Sequence, residues 1–334
     1  MDENHKPFHG GRGNEASFLV AVRRMRKALL SLPAVGALYT SMEKAALKGM
    51  EAWRGFRTDP ADYPFFRLQL LLRKHEPETV AYIRSVLRRG DAAVDVGAHV
   101  GYYARLFADL VGDEGVVLAL EPNPSNFALL EANLSRYPNA RLLQIAVAPQ
   151  EGQVELEVPE RATGWGRIRL GTAAPSWEED PRLQRAGGSL KRYQVPARPL
   201  ESLLEEMGLA GKPINLLKID TEGAEGVVLD SLGRRGSSVL RVLCELGPSN
   251  LKAFGHSPLD LVDRLEAMGF TRFKVFDPVA GDGYPHPLPG AEGSWLAPEA
   301  LRNLLRRWDL AVEGLVMNLV AERGEASKPA ASPR

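Results

Sequence analysis

The 334-residue chain is 44% apolar and 25% charged, the proportions of a soluble globular protein of one large or two modest domains rather than a disordered or membrane-spanning one. Its 42 basic and 42 acidic residues cancel, so no global field attracts a nucleic-acid backbone, and DNA or RNA is disfavoured as a substrate. A lone cysteine, Cys244, excludes an intramolecular disulfide and a thiolate zinc site. Within the apolar run VLRVLCEL it reads as a buried strand residue.

The first sixteen residues lack the basic-then-apolar order of a secretory signal and read as a disordered tail, which makes a cytoplasmic location the expectation. Residues 17–90 read as a helical N-terminal extension. From Phe18 to about Leu47 apolar residues recur at helical spacing, and Arg23, Arg24, Arg26 and Lys27 gather in one stretch. A basic amphipathic helix can make weak contact with an anionic membrane surface. It can equally present a solvated face while packing on the main domain or on a second copy of the chain as a homo-oligomer. No apolar run is long enough to cross a bilayer. Residues 60–90 add a turn, a short apolar segment and an amphipathic helix that stops at Gly90.

From 91 to 323 the pattern alternates: strand 92–96, helix 101–111, strand 115–120, helix 124–136, strand 140–147. A strand-like QVELEV at 153–158 precedes a stretch, about 160–190, rich in Gly, Pro and charge without a period. It reads as an insertion over the carboxyl edge of a sheet. Helix 199–207, strand 214–220, helix 223–232, strand 239–246, helix 258–268 and strand 272–276 follow. A Pro- and Gly-rich loop, a helix near 298–307 and a strand at 314–322 complete the domain, with a disordered tail at 324–334. This rhythm predicts an α/β fold with a doubly wound, mostly parallel sheet and helices on both faces.

Three strings carry chemistry. In VDVGAHVG a buried strand runs into Gly97 and, four residues later, Gly101 at a helix start; both glycines let backbone approach a ligand. A dinucleotide fold calls for G-x-G-x-x-G to rest a pyrophosphate on the helix N-terminus, and here the spacing is G-x-x-x-G. Asp95 ends the apolar strand, where a carboxylate needs a hydrogen bond or a cationic ligand. It can serve the amino group of a methionine moiety, or tie down the following loop. In LALEPNP, Glu121 at the second strand tip can accept from both hydroxyls of a ribose; Asn123 and Asn126 are ligand contacts or helix caps.

In LLKIDTEGAE, Lys218 and Asp220 share one strand face. Asp220, Glu222 and Glu225 can act as a base, orient a hydroxyl or hold Mg²⁺ through oxygen ligands, Glu222 and Glu225 being equally suited to capping a helix. Glu245 ends the next strand as Asp220 ends its own, and with His256 can face an acceptor.

In this order and spacing, VDVGAHVGYYARLF, LALEPNP and LLKIDTEGAE resemble the FkbM family of methyltransferases, from about residue 62 to residue 322. The resemblance implies a Rossmann-like class I methyltransferase with a seven-stranded sheet, binding S-adenosylmethionine. It implies that Asp95, Gly97 and Gly101 line the methionine end of the cofactor, that Glu121 binds ribose, that the strand end Gln144 to Ala146 lies near adenine, and that Asp220 faces the reactive methyl. The family's turn usually reads GAN; His99 stands here for the Asn, and a histidine can still donate and accept there, so His99 and Asn123 are counted with the cofactor contacts. O-methylation of a sugar, glycan or polyketide-type hydroxyl is the implied reaction. Asp220, Glu222 and Glu245 are the expected catalytic residues. The competing readings are a nicotinamide-dependent oxidoreductase, against which the missing G-x-G-x-x-G speaks, and a non-catalytic scaffold, against which Glu121 and Asp220 speak.

Overall fold

The structure, a computed structural model, describes residues 33–170, 176–279, 294–307 and 316–324. The chain forms two compact units, residues 1–54 and 55–334. In the first, α1 (Pro33–Arg54) is a single helix with Leu38, Met42 and Trp53 exposed. The basic stretch at Arg23 to Lys27, expected within an amphipathic helix, lies outside the described residues. No described helix is long and apolar enough to cross a membrane.

In the second unit α2 (Pro64–Leu72) and α3 (Pro77–Val86) both begin on proline, whose fixed φ and missing N–H suit a first helical turn. There follow β1 (Ala92–Val96), α4 (Tyr102–Val111), β2 (Val116–Leu120), α5 (Pro124–Leu134) and β3 (Ala140–Leu143). The chain then builds β4 (Ala146–Val147), β5 (Gly152–Pro159), β6 (Arg167–Arg169), α6 (Arg182–Arg185) and β7 (Leu190–Arg198). It returns through α7 (Leu200–Glu206), β8 (Leu216–Ile219), α8 (Glu225–Asp230), β9 (Arg241–Leu246), α9 (Pro248–Ala253), α10 (Pro258–Ala267), β10 (Arg272–Val279), α11 (Pro298–Arg307) and β11 (Val316–Glu322).

Seven of these strands form one sheet in the order β3-β2-β1-β8-β9-β11-β10. All neighbours are parallel except β11, which runs antiparallel to both β9 and β10. The β1, β2 and β8 strands are apolar along almost their whole length because helices cover both sides. Alternate residues feed two cores. Val94, Val96, Leu118, Leu217 and Ile219 pack with α7, α8, α10 and α11 on one face; Ala93, Val117 and Leu216 pack with Tyr82, Ile83, Phe107 and Leu130 on the other. The strand order reverses direction between β1 and β8, and their carboxyl ends open the crevice where ligands of such sheets bind.

Two sequence readings need correction. The expected strand 140–147 is split: β3 pairs with β2 only to Leu143, and β4 belongs to a second sheet, ordered β4-β7-β5-β6. The reason is that β2 ends at Leu120, so a longer β3 would have no partner, and the chain turns away at Gln144. The unperiodic stretch also hid structure. The β5 and β7 strands pair antiparallel from Gly152↔Ala197 to Pro159↔Leu190, and β6 joins β5. In β7 only Val195 and Ala197 are buried, so charges such as Lys191 and Arg192 mask the strand pattern.

Candidate active site

The turn after β1 is shaped by its glycines. Gly97 has φ 78°, and a Cβ there would stand 1.9 Å from the carbonyl oxygen of Asp220. Gly101 has φ 87° and opens α4, where a Cβ would meet the side chains of Leu130 and Leu134 at 2.7 and 2.6 Å. The Gly97 and Ala98 N–H groups both donate to the carbonyl of Leu120, at 2.9 and 3.0 Å, and the Asp220 N–H donates to Val96 at 3.0 Å. Three strand ends are thereby tied together in backbone.

Glu121, 5% exposed, spans two of those turns. Its Oε2 accepts from the His99 N–H at 2.8 Å and its Oε1 from the Asn123 N–H at 2.9 Å. Burial pushes its carboxyl upward, while the charge of His99 and these two bonds pull it back. Each oxygen keeps a second lone pair, so a pinned carboxylate can still accept from a diol. Asn123 caps α5, its side chain accepting from the Ser125 N–H at 3.1 Å, and Asn126 donates to the Thr163 carbonyl at 2.9 Å. Past β3, Gln144 is exposed and Ala146 is buried at the start of β4.

Behind the turn, Asp95 is fully enclosed. Lys218 lies beside it on β8, with Nζ 3.2 Å from Asp95 Oδ1, 3.2 Å from Asp220 Oδ2 and 3.5 Å from the Gly97 carbonyl. Burial alone would lower the lysine pKa, but the charges of Asp220 and Asp95 raise it, so Lys218 stays cationic. Its ammonium also sits 5.1 Å from the centre of the Tyr103 ring, whose hydroxyl donates to Glu76. Asp95 therefore faces an internal cation, and Asp220, 41% exposed, is the member of the trio open to the crevice.

Asp220, Glu222 and Glu245 bring one carboxylate oxygen each to within 4.8 Å of one another. Glu222, at φ 54°, is nearly buried, and burial with the neighbouring Asp220 charge pushes its carboxyl up to about 8 against the pull of Arg182. Burial and the charges of Glu222 and Asp220 also raise Glu245. Glu225 plays a different part: its Oε1 accepts from the Thr221 and Gly223 N–H groups at 3.0 and 3.2 Å and fixes the turn before α8. His256 faces Arg264, Asp230 and Asp260, and its ring lies against Gly226.

Several partners of this cluster carry no signal in the sequence. Asn250, 1% exposed on α9, donates to Glu222 Oε2 at 2.6 Å and accepts from Arg182 at 2.6 Å and Arg167 at 3.3 Å. Both guanidiniums lie over the fully buried Trp177, at 4.2 Å for Arg167 and 4.9 Å for Arg182, and Trp165 stacks on Trp177. Position just after a strand at the carboxyl edge is the one cue that marks Asn250.

A seven-stranded sheet of this order with its seventh strand antiparallel, and a glycine turn and acidic strand tip at the crevice, define a class I, S-adenosylmethionine-dependent methyltransferase. Residues 95–271 match the methyltransferase FkbM domain, more than half of the chain, and the protein belongs to that family. No curated protein sequence matches it. Among solved structures it is similar to a precorrin-6y C5,15-methyltransferase from Geobacter metallireducens GS-15, at 12% identity and TM-score 0.38, over 80% of this chain and 94% of that one. It is similar to an S-adenosylmethionine-dependent O-methyltransferase from Thermotoga maritima at 12% identity and TM-score 0.35, over 75% and 67%. The fibrillarin of Aeropyrum pernix, solved with natively bound S-adenosyl-L-methionine, aligns at 10% identity and TM-score 0.35, over 74% of each chain.

Proposed function

We propose that this methyltransferase acts on oxygen, methylating a hydroxyl of a sugar, glycan or polyketide-type natural product in the cytoplasm. The observation that carries the reading is the meeting of Asp220, Glu222 and Glu245 at the carboxyl edge beside the cofactor turn. Bound S-adenosylmethionine supplies an already reactive methyl on a sulfonium. What the chain must add is alignment of the acceptor and a place for its proton, because a free hydroxyl is a weak nucleophile at neutral pH.

Glu121 takes the ribose diol, Gly97 and Gly101 open the turn to the methionine end, and Ala146 borders adenine. Asp220 faces the reacting carbon. Glu222 or Glu245 takes the hydroxyl proton in its ionised form, in which a carboxyl raised by burial is a stronger base than an ordinary one. The same three oxygens are donors of the kind Mg²⁺ takes, and a cation there would lower the hydroxyl pKa. The 160–190 segment, with Trp165 half-buried on Trp177, offers an aromatic face for a sugar ring. The loop at 281–295 is a second candidate for reading the acceptor, and as far as residue 293 it lies outside the described residues.

The test is a screen of glycan and polyketide extracts with methyl-labelled S-adenosylmethionine, with and without a chelator, using Asp220→Ala and Glu222→Gln as controls. Label in alkali-stable methyl ethers, lost in both variants, is expected. Label only on nitrogen or carbon, or transfer untouched by both substitutions, overturns the reading; loss on chelation assigns Mg²⁺ to the cluster.

A further inference from the structure

Asp62, His99 and Thr163 come from three separate segments: the lead-in to α2, the turn after β1, and the 3₁₀ turn Thr163–Trp165 of the second sheet. Asp62 is 4% exposed. Its Oδ1 accepts from the backbone N–H of Thr163 at 2.8 Å and from the Thr163 hydroxyl at 2.9 Å. That hydroxyl has one proton, and it goes to Asp62. At 3.0 Å from His99 Nε2 the same oxygen must therefore accept, so Nε2 carries a hydrogen. Asp62 Oδ2 has no hydrogen-bond partner among the described residues and lies 3.4 Å from that nitrogen. Phe66 covers the imidazole with ring centres 5.8 Å apart, and Gly164 closes on it from the 3₁₀ turn.

His99 sits at φ 51°, a left-handed conformation that a side-chain-bearing residue keeps only where its surroundings hold it. Its backbone N–H is one of the two donors that fix Glu121. A ring anchored at Nε2 thus holds the residue that holds the carboxylate. We propose that Asp62, acting through His99, is a positioning residue for the ribose of the cofactor, lying outside the region that matches the family. The inference rests on Glu121 as the ribose ligand. The second sheet takes part as well, because Thr163 locks the cofactor turn from its side.

The proposal is tested by calorimetric titration of the full chain with S-adenosylhomocysteine and with its 2′,3′-dideoxyribose counterpart. His99→Asn keeps a residue tolerant of the left-handed region but cannot reach Asp62, and Asp62→Asn weakens the anchor from the other end. Each is expected to reduce affinity for S-adenosylhomocysteine about tenfold, to bind the dideoxy compound as wild type does, and to add nothing when combined. Unliganded melting curves check that the variants fold. Wild-type affinity in both variants while Glu121→Ala loses binding overturns the anchor, as does an additive loss. Glu121→Ala binding S-adenosylhomocysteine at full strength sinks the ribose reading and the inference with it.

Discussion

The Cβ position of Gly97 lies 1.9 Å from the carbonyl oxygen of Asp220, so the turn after β1 and the end of β8 are in backbone contact. A methyl group at Gly97 must push apart the two strand ends on which the site is built. It must also adopt φ 78°. Gly97→Ala is expected to cost about 3 kcal/mol of stability and to abolish cofactor binding. Urea denaturation and calorimetry measure the two effects separately, and a variant that melts and binds like wild type would show the contact to be soft.

Lys218 is the counter-charge of a carboxylate with no access to water. Replacing it by methionine keeps the stem and removes the cation, leaving Asp95 enclosed and unpaired. Breaking a buried pair on one side costs about 3–5 kcal/mol, so Lys218→Met is expected to unfold at markedly lower urea concentration. Asp95→Asn in the same background should recover part of the loss, because the uncompensated charge is gone.

Asn250 orients Glu222 by giving it the amide N–H₂ while two arginines hold the amide oxygen. Asn250→Ala leaves three buried polar groups each short of a partner, a cost of about 2–3 kcal/mol. If Glu222 receives the acceptor proton, transfer should fall well beyond what stability explains, while cofactor affinity stays as it was. The labelled-methyl assay and calorimetry on one preparation decide this.

The parallel sheet was legible because both-face burial writes unbroken apolar runs such as AAVDV and VVLAL, and because glycines punctuate them. Glu121 and Asp220 were legible as charges at the ends of such runs. Of the second sheet only β5 was, since strands with one wet face and only a few buried positions, such as β7, look like charged loop. Asp62 and Thr163 were invisible for another reason: each lies outside the sheet and its long helices, and its partner is supplied by a distant turn; Asn250, on the short helix α9, was marked only by its place after a strand. Glu225 shows the converse. Its motif offered chemistry or a helix cap, and its oxygen holds the turn at the helix start.

The imidazole of His99 adds a pH dependence whose sign follows from its surroundings. Burial alone would lower its pKa, but the Asp62 carboxylate 3.4 Å from Nε2, with the charges of Glu121 and Asp220, raises it above the ordinary 6.5. A group raised on folding contributes stability that is fully present below the unfolded pKa and is lost as pH rises through the folded one. The wild-type advantage over Asp62→Asn should therefore be larger at about pH 5.5 than at about pH 8.5, and His99→Asn should remove that difference. Urea denaturation of the three proteins at both pH values measures it. An advantage independent of pH would mean that Asp62 holds His99 as a neutral ring, through Thr163.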